Sequence, residues 1–331
     1  MNSTKNKVLY MKTIQFLLMC LLVILSSCKK QTKTREEAIP ADAVKMTPAT
    51  DIYPPASLSD SWETPVPMPG PINTAGGEDA PVITPDGNTF FFFWTPDVNI
   101  PAEKQVIDDV TGIWSSKKQG DTWTEPERII LNDDLSLDGP FCIQGDTLWF
   151  GSVRNGTYRQ NGDIFIAKYK NGRWRDWRNV GEQLNQDYQI GELYVTEDGN
   201  TMVFHRANFS GYGGYDMWQT ERTGDSWSQP INLGAVVNSD IDEGWPYLSP
   251  DGKELWFCRI SRSGYAGPSL FRNVKTDSGW STPVEIIVNF AGDPGLDAEG
   301  NIYYTHHFFT QDGKMIEGDI YVAYRKHFDK K

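Results

Sequence analysis

Short apolar runs alternate with glycine-containing turns along the chain from residue 61 onward. The runs are rich in aromatic and β-branched side chains, as at residues 90–94 and 148–150. Runs of this kind, bounded by Asp-Gly and similar turn signals, are typical of β-strands joined as hairpins. The pattern predicts an all-β fold, and 30 Gly, 20 Pro and 12 Trp residues also disfavour a helical bundle.

Three short phrases recur about every 50 residues and divide this region into five repeats. The first is Trp-x-x-Pro, with a fifth copy in which Trp177 replaces the proline; it begins at Trp62, Trp123, Trp174, Trp227 and Trp280. The second is an Asp-Gly turn or a degenerate form of it, which ends at Gly87, Gly145, Gly199, Gly252 and Gly300. The third is a short strand; its copies lie near Trp114, Phe165, Trp218, Phe271 and Tyr321. Each repeat then has four short strands, A to D, with the turn between A and B.

Four-stranded units of this period predict a β-propeller, whose radial repetition leaves only short, protected edges. Five repeats predict five blades. The first repeat opens with only a D strand at residues 61–67, and the last ends with a C strand near Tyr321. We therefore expect the N-terminal strand to join the last blade and close the ring.

The repeat phrases resemble the TolB-type, WD40-like propeller repeats of bacterial lipoproteins and cell-envelope proteins. The best copy contains Trp227-Ser-Gln-Pro-Ile-Asn-Leu-Gly, Asn238-Ser239, Asp242-Glu243, Pro246 and Ser249-Pro250-Asp251-Gly252. The resemblance covers residues 61–325. It implies a propeller but no particular activity, because propellers host both binding proteins and enzymes.

The N-terminal sequence predicts that the protein is located at the cell envelope. Lys12 precedes an apolar run that is shorter than a membrane-spanning helix, and Leu25-Ser26-Ser27-Cys28 resembles the lipobox of bacterial lipoproteins. The resemblance implies that residues 1–27 are a signal peptide and that Cys28 is lipidated, which anchors the protein to a membrane. An ordinary signal peptide that ends in cysteine is the alternative. Residues 28–60 show no hydrophobic period and predict a flexible tether, followed by the propeller at 61–331.

Charge and cysteine content narrow the partners and the compartment. The net charge is −13 and becomes −16 after cleavage, because the removed residues carry three lysines and no acid. Such a chain is a poor candidate for nucleic-acid binding. Cys142 and Cys258 lie in apolar runs and predict buried free thiols, with a disulfide between them as the alternative. We expect a monomer at the bacterial envelope, most simply at the outer membrane.

The candidate site lies on the face formed by the D–A and B–C loops, because the B–C connections at residues 94–111, 206–215 and 306–318 are long. Acids stand at the entries to the A strands: Glu78, Asp79, Asp138, Glu192, Asp242, Glu243 and Asp293. Cations and aromatic residues stand near the ends of the B strands: Arg154, His205, Arg206, Arg259, His306, His307 and Trp94, with Trp245 beside the acids. Together they would suit a polar ligand such as a sugar. The alternative is that the repeated acids only cap the strand-entry loops or pair with a neighbouring arginine.

Two classes of function follow. The leading hypothesis is a recognition or scaffold module that binds a glycan, peptide or protein. The alternative is a glycoside hydrolase that uses Asp79, Asp138 and Glu192, since the layout resembles five-bladed glycosidases in blade number. A polysaccharide lyase built on His205, Tyr212 and Arg206 is a weaker alternative.

No cofactor is expected, since nucleotide and redox motifs are missing from the sequence. A calcium ion held by the crowded acids is the alternative to a metal-free site. Zinc or manganese on the histidines is disfavoured, because adjacent residues of a strand point to opposite faces.

Overall fold

The computed structural model describes residues 33–131, 136–207 and 211–326. The chain divides into two units, residues 1–34 and 35–331, and everything below concerns the second. Its helical segments are single turns: α1 (Arg35–Ala38), α2 (Ala102–Gln105) and a π-turn at Gln183–Asp187. None of the helices in the described ranges has the length and apolarity needed to cross a membrane. Cys28 and the predicted signal peptide lie outside the described residues.

The strands follow the repeats of the sequence. Two short strands come first, β1 (Ala56–Ser57) and β2 (Val66–Pro67). Repeat 1 contains β3 (Gly77–Ile83), β4 (Thr89–Thr95), β5 (Gly112–Gln119), β6 (Thr122–Trp123) and β7 (Glu127–Arg128). Repeat 2 contains β8 (Leu137–Gln144), β9 (Thr147–Val153), β10 (Asp163–Lys170) and β11 (Arg173–Asn179). Repeat 3 contains β12 (Leu193–Val195), β13 (Thr201–Ala207), β14 (Tyr215–Thr223), β15 (Ser226–Trp227) and β16 (Ile231–Asn232).

The last two repeats are built in the same way. Repeat 4 contains β17 (Glu243–Leu248), β18 (Glu254–Ile260), β19 (Pro268–Thr276), β20 (Gly279–Trp280) and β21 (Val284–Val288). Repeat 5 contains β22 (Ala291–Leu296), β23 (Ile302–Phe309) and β24 (Met315–Ala323). The strand pairs within each repeat are antiparallel, so the all-β prediction is confirmed.

The sheets correspond to repeats or to joined repeats. Repeats 2, 3 and 4 give sheets of four, five and six strands, the last including β1. Strands of repeats 1 and 5 form one larger sheet through a single parallel pair between Gly318 and Gly77. In that sheet β2 pairs antiparallel with β24, with Val66 opposite Val322. The first short strand after residue 61 is therefore hydrogen-bonded to the last repeat.

The core is built from the recurrent aromatic residue of strand B. All five copies are completely buried: Phe92, Phe150, Phe204, Phe257 and Tyr304. Burying one such side chain contributes roughly 1.5–3 kcal/mol, so a single aromatic phrase in the sequence stabilises every sheet. Cys142 and Cys258 lie in the same interior as free thiols, and burial raises the pKa of Cys142 to about 12.

Residues 35–60 pack against the sheets, which differs from the flexible tether predicted over 28–60. Arg35 is 1% exposed and its Nη1 donates to the carbonyl oxygen of Ile72 at 2.7 Å. Its guanidinium also lies 5.6 Å from the ring of Phe92 and 5.7 Å from that of Trp114. The segment carries no hydrophobic period because its attachments are single charged side chains, each held by buried partners.

Two further attachments follow along this segment. Lys45 forms ion pairs with the buried carboxylates of Glu317 and Asp319. Asp51 Oδ2 lies 2.8 Å from Nε2 of His306, and both side chains are almost fully buried. β1 then pairs with β21, with Ala56 opposite Val288. We call residues 35–60 the N-terminal strap.

Candidate functional site

The first strands of four repeats each contain an irregularity. The pairing of β3, β8, β17 and β22 with the next strand shifts register, at the same distance from the turn glycine in β3, β17 and β22 and closer to it in β8. In three of them a non-glycine residue has positive φ just before a proline: Ala80 (49°), Trp245 (55°) and Asp293 (53°). Each such residue costs roughly 1–2 kcal/mol. Strain repeated at one position of a fold is typical of functional sites.

These irregular segments surround one small cavity, which we call the central cavity. All five repeats contribute to its lining: Ala80, Pro81, Val82, Pro140, Phe141, Glu192, Leu193, Trp245, Pro246, Asp293 and Pro294. Ala80, Glu192, Trp245 and Asp293 each stand seven residues before the turn glycine of their repeat. Its volume is about 30 Å³, enough for one or two water molecules.

A second cavity lies between repeats 1 and 5, and we call it the side cavity. It has a volume of about 150 Å³ and is lined in part by Asp79, Gln105 and His307. The side chain of Asp79 is 44% exposed, and its Oδ1 lies 3.9 Å from Nε2 of His307. Asp79 directly precedes Ala80 of the central cavity, so the two cavities are neighbours along β3.

Asp79, Glu192 and Asp293 interact electrostatically across these cavities, and we call them the carboxyl cluster. Burial, and then the charge of Asp79, raises the pKa of Glu192 to about 8. Burial, with Asp79 and Glu192 nearby, raises the pKa of Asp293 well above its usual value. Burial lowers the pKa of His307, partly opposed by Asp79. Near neutral pH Glu192 therefore holds a proton, and the cluster carries fewer than three negative charges.

Three other predicted acids have structural partners instead. Glu78 accepts hydrogen bonds from the backbone N–H and hydroxyl of Thr74, and Glu243 does the same with Ser239. Asp138 accepts from Ser136 at 3.0 Å.

Each of these acids also faces an arginine. The ion-pair distances are 3.6 Å to Arg35 for Glu78, 2.7 Å to Arg154 for Asp138 and 3.5 Å to Arg259 for Glu243. For these positions the structural alternative fits, because each acid fixes the loop that enters strand A.

Most predicted cations also have structural contacts. Arg154 lies over Trp177 at 4.5 Å, Arg206 over Trp218 at 3.8 Å and Arg259 over Phe271 at 4.2 Å. Asp242 accepts from the backbone N–H of Tyr215 at 2.8 Å. These residues stabilise the sheets and their loops, and the structure does not bring them into the carboxyl cluster.

The aromatic residues and histidines divide between core and cavity. Trp94 is fully buried and its Nε1 donates to Thr74 Oγ1 at 3.0 Å, which corrects its predicted place in a ligand-facing wall. Trp245 is 36% exposed and lines the central cavity. His306 points into the core toward Asp51, whereas His307 reaches the side cavity. The alternation of side chains along β23 explains this split.

His205 lies between two members of the central cavity. Its Nε2 is 3.4 Å from the backbone nitrogen of Glu192, and its Nδ1 is 3.2 Å from that of Trp245. Burial lowers its pKa to about 4, so the ring is neutral near neutral pH. His205 thus contacts the backbone of both cavity residues, accepts a hydrogen bond from one of them through its unprotonated nitrogen and carries no charge for a ligand.

His307 is one of the cations that the sequence places near the candidate site; it lines the side cavity, and two glycines lie beside it. Gly292 and Gly318 flank it, and a Cβ at either position would lie 3.6 Å from its ring. In the described part of the chain, no group of three or more His, Cys, Asp or Glu residues is arranged to hold a metal ion. The alternative of a calcium ion at the acids is therefore unsupported.

Comparison with known proteins gives a distant likeness of fold. No family model and no curated protein matches the sequence. A protein of unknown function from Dyadobacter fermentans is 12% identical, with a TM-score of 0.49 over 83% of this chain and 100% of that one. A thermostable family-43 glycoside hydrolase is 13% identical, with a TM-score of 0.48 over 80% and 94%. TolB from Acinetobacter baumannii is 15% identical, with a TM-score of 0.37 over 80% and 56%.

Proposed function

We propose that the protein is a five-bladed β-propeller, closed by β2 on the last repeat, that recognises a carbohydrate at the carboxyl cluster. The observation that carries this proposal is the convergence of Asp79, Glu192 and Asp293 from three repeats. Among the described residues, no lysine or arginine forms an ion pair with any of them.

The contrast with the structural acids supports a ligand role. Glu78, Asp138 and Glu243 each face an arginine, as buried acids normally do. Carboxyls crowded without such a partner cost stability, and groups with perturbed pKa values in a cleft are candidates for function. The carboxyl cluster therefore differs from Glu78, Asp138 and Glu243, which fix the loops that enter the A strands.

The chemistry of the cluster suits hydroxyl groups. A protonated Glu192 donates a hydrogen bond, and carboxylate oxygens accept one, while each sugar hydroxyl can do both. Trp245 adds an aromatic surface that apolar sugar faces can contact. The central cavity is small, so one hydroxyl-bearing edge of a sugar would reach the carboxyls and the rest would lie outside on the loop face.

Binding measurements test this proposal. A fragment that comprises residues 33–331, which we call the body, is titrated calorimetrically with neutral oligosaccharides from a glycan screen. Glu192→Ala should weaken binding about tenfold or more, because it removes the hydrogen bond that this side chain would make to a sugar hydroxyl. Glu197→Ala removes an exposed acid from the turn that follows β12, and it should leave binding unchanged. Equal affinities of the two variants, or failure of every neutral glycan to bind, would refute the proposal.

A glycoside hydrolase is the second candidate, and the raised pKa of Glu192 favours it. A carboxylic acid that stays protonated near pH 7 beside an exposed carboxylate, Asp79, is the pair that acid-assisted glycoside cleavage needs. Asp138 is held by Arg154 and Ser136, so Asp293 replaces it as the third carboxyl. Product analysis by mass decides: release of oligosaccharides that Glu192→Gln abolishes, with binding retained, would identify an enzyme.

We also propose that lipidated Cys28 anchors the protein at the bacterial envelope as a monomer. The lipobox resemblance supports this part of the proposal. Incorporation of labelled palmitate and membrane association should both disappear in Cys28→Ser. Retention of the label in that variant would rule out lipidation at this cysteine.

A further inference from the structure

A cavity of about 220 Å³ lies between repeats 2 and 3, outside the carboxyl cluster and the side cavity. We call it the cationic pocket. Its ionisable lining consists of Lys168, Arg178, Arg222 and Asp225. The pocket therefore has three cationic side chains and one acidic side chain, whereas the whole chain has a net charge of −13. The local charge is opposite to that of the molecule as a whole.

The cations of the pocket retain free hydrogen-bonding capacity. The side chain of Arg178 has no hydrogen bond or ion pair among the described residues, and it is exposed. Arg222 lies flat over Trp227 at 4.3 Å and uses its Nε to donate to the carbonyl oxygen of Gly199. Within the described chain its two terminal nitrogens have no partner. A guanidinium with free terminal nitrogens matches the two oxygens of a carboxylate or sulfate.

Lys168 has two polar contacts near the surface. Its Nζ donates to Asp146 Oδ1 at 2.7 Å and to Thr147 Oγ1 at 2.5 Å, and the side chains of Lys168 and Asp146 are 38% and 59% exposed. Exposed pairs of this kind contribute little to stability and exchange readily. Lys168 can therefore turn from Asp146 to an anion in the pocket at small cost.

A neutral donor of the lining is also without a partner. Trp149 lines the pocket, and its buried Nε1–H has no hydrogen-bond partner in the described part of the chain. The amide of Gln183 already donates to the hydroxyl of Tyr188 and the carbonyl oxygen of Trp227. Buried donors without partners are uncommon in native proteins. The pocket thus combines charge and donors, the two requirements for recognising an oxyanion.

We propose that the cationic pocket is a second binding site, which takes an acidic sugar unit of an anionic polysaccharide. The volume is below the range of roughly 300–1,000 Å³ for drug-sized ligands, so it fits one sugar unit and not a whole oligosaccharide. The acidic group is a carboxylate or a sulfate, and both have the oxygen geometry that arginine binds. The site is independent of the carboxyl cluster.

The test uses tetragalacturonate as the carboxylated probe and a heparin-derived tetrasaccharide as the sulfated probe. Each is titrated into the body of residues 33–331 at low and moderate salt. Binding of either probe should weaken about tenfold or more in Arg178→Gln and in Lys168→Gln. It should also weaken with added salt, because charge pairs form the contact. The probe that binds identifies the acidic group.

Arg175→Gln is the matched control. Arg175 lies on β11, opposite Lys168 in the strand register, and does not line the pocket. The variant removes the same charge from the same strand, so binding should be unchanged. Three results would overturn the proposal: no binding of either probe, equal losses in Arg175→Gln and Arg178→Gln, or binding that depends on Glu192 and not on Arg178. The last result would place the acidic sugar at the carboxyl cluster.

Discussion

Nε2 of His306 lies 2.8 Å from Oδ2 of Asp51, which precedes it by 255 residues in the sequence. Both side chains are almost completely buried. The other ring nitrogen, Nδ1, lies 3.1 Å from the carbonyl oxygen of Asn289. Both ring nitrogens thus lie within hydrogen-bonding distance of an oxygen atom. This pair fastens the middle of the N-terminal strap to repeat 5.

Asp51→Ala should therefore destabilise the protein by about 1–3 kcal/mol, because it leaves a buried donor without its acceptor. Urea denaturation of the body of residues 33–331 gives the free energy of unfolding. Asp42→Ala removes an exposed acid from the same strap and should change this value by less than about 0.5 kcal/mol. Equal effects of the two substitutions would show that the pair with His306 contributes nothing specific.

The whole strap should matter for stability. A body that begins at residue 61 loses Arg35, Lys45 and Asp51, and leaves the buried carboxylates of Glu317 and Asp319 without a cation. Breaking a buried pair costs roughly 3–5 kcal/mol, so its thermal midpoint should be at least ~5 °C lower than that of a body that begins at residue 33. Circular dichroism or calorimetry measures the difference. Identical midpoints would show that the strap does not stabilise the fold and acts only as a tether.

The carboxyl cluster predicts how stability depends on pH. The pKa of Glu192 is about 8 in the fold, against 4.5 for an unperturbed glutamate side chain, so the folded state keeps a proton that the unfolded state has lost. This contribution is complete below about pH 4.5 and disappears as the pH rises through 8, with a slope of at most ~1.4 kcal/mol per pH unit for one proton. Asp293 acts in the same direction.

Glu192→Gln should flatten this decline, and Glu197→Gln should preserve it. Urea denaturation at several values between pH 5 and pH 8.5 measures both variants against the unmodified body. A decline of the same slope in Glu192→Gln would mean that another group causes it.

Gly191→Ala should displace His205. A Cβ at residue 191 would lie 2.3 Å from Nε2 of His205 and 3.1 Å from its carbonyl oxygen. Overpacking of this kind typically costs about 1–3 kcal/mol, and the shift of His205 would also disturb ligand binding at Glu192. Gly139→Ala is the control, since its Cβ would meet only Phe93 at an ordinary 3.9 Å. The free energy of unfolding and the affinity for the ligand are measured for both variants. Equal values for Gly191→Ala and Gly139→Ala would contradict the prediction.

The sequence predicts the strands well and the site only in part. The aromatic phrase and the turn glycines determine which residues enter the core, and these features do not depend on register. Which residues line the cavity does depend on the register of the strands. Asp138 and Glu192 both stand seven residues before a turn glycine, yet Asp138 meets Arg154 and Glu192 lines the central cavity.

The face that a side chain takes is not specified by the repeat phrases. A shift of one residue in a strand turns every side chain to the opposite face, and β3, β8, β17 and β22 contain such shifts. Trp94 and His306 point into the core because side chains alternate between the two faces of β4 and β23. The strap was missed because its attachments are isolated charges, which no periodicity reveals.

The left-handed residue before proline has a consequence for how such a protein could change its ligand. At this one backbone conformation the chain carries a methyl group at Ala80, an indole at Trp245 and a carboxyl at Asp293. The bulge and the following proline set the path of the strand, and the side chain does not. Substitutions at these positions can therefore alter the chemical character of the cavity one residue at a time while the sheets keep their packing, so that selection for a new ligand need not begin with a loss of stability.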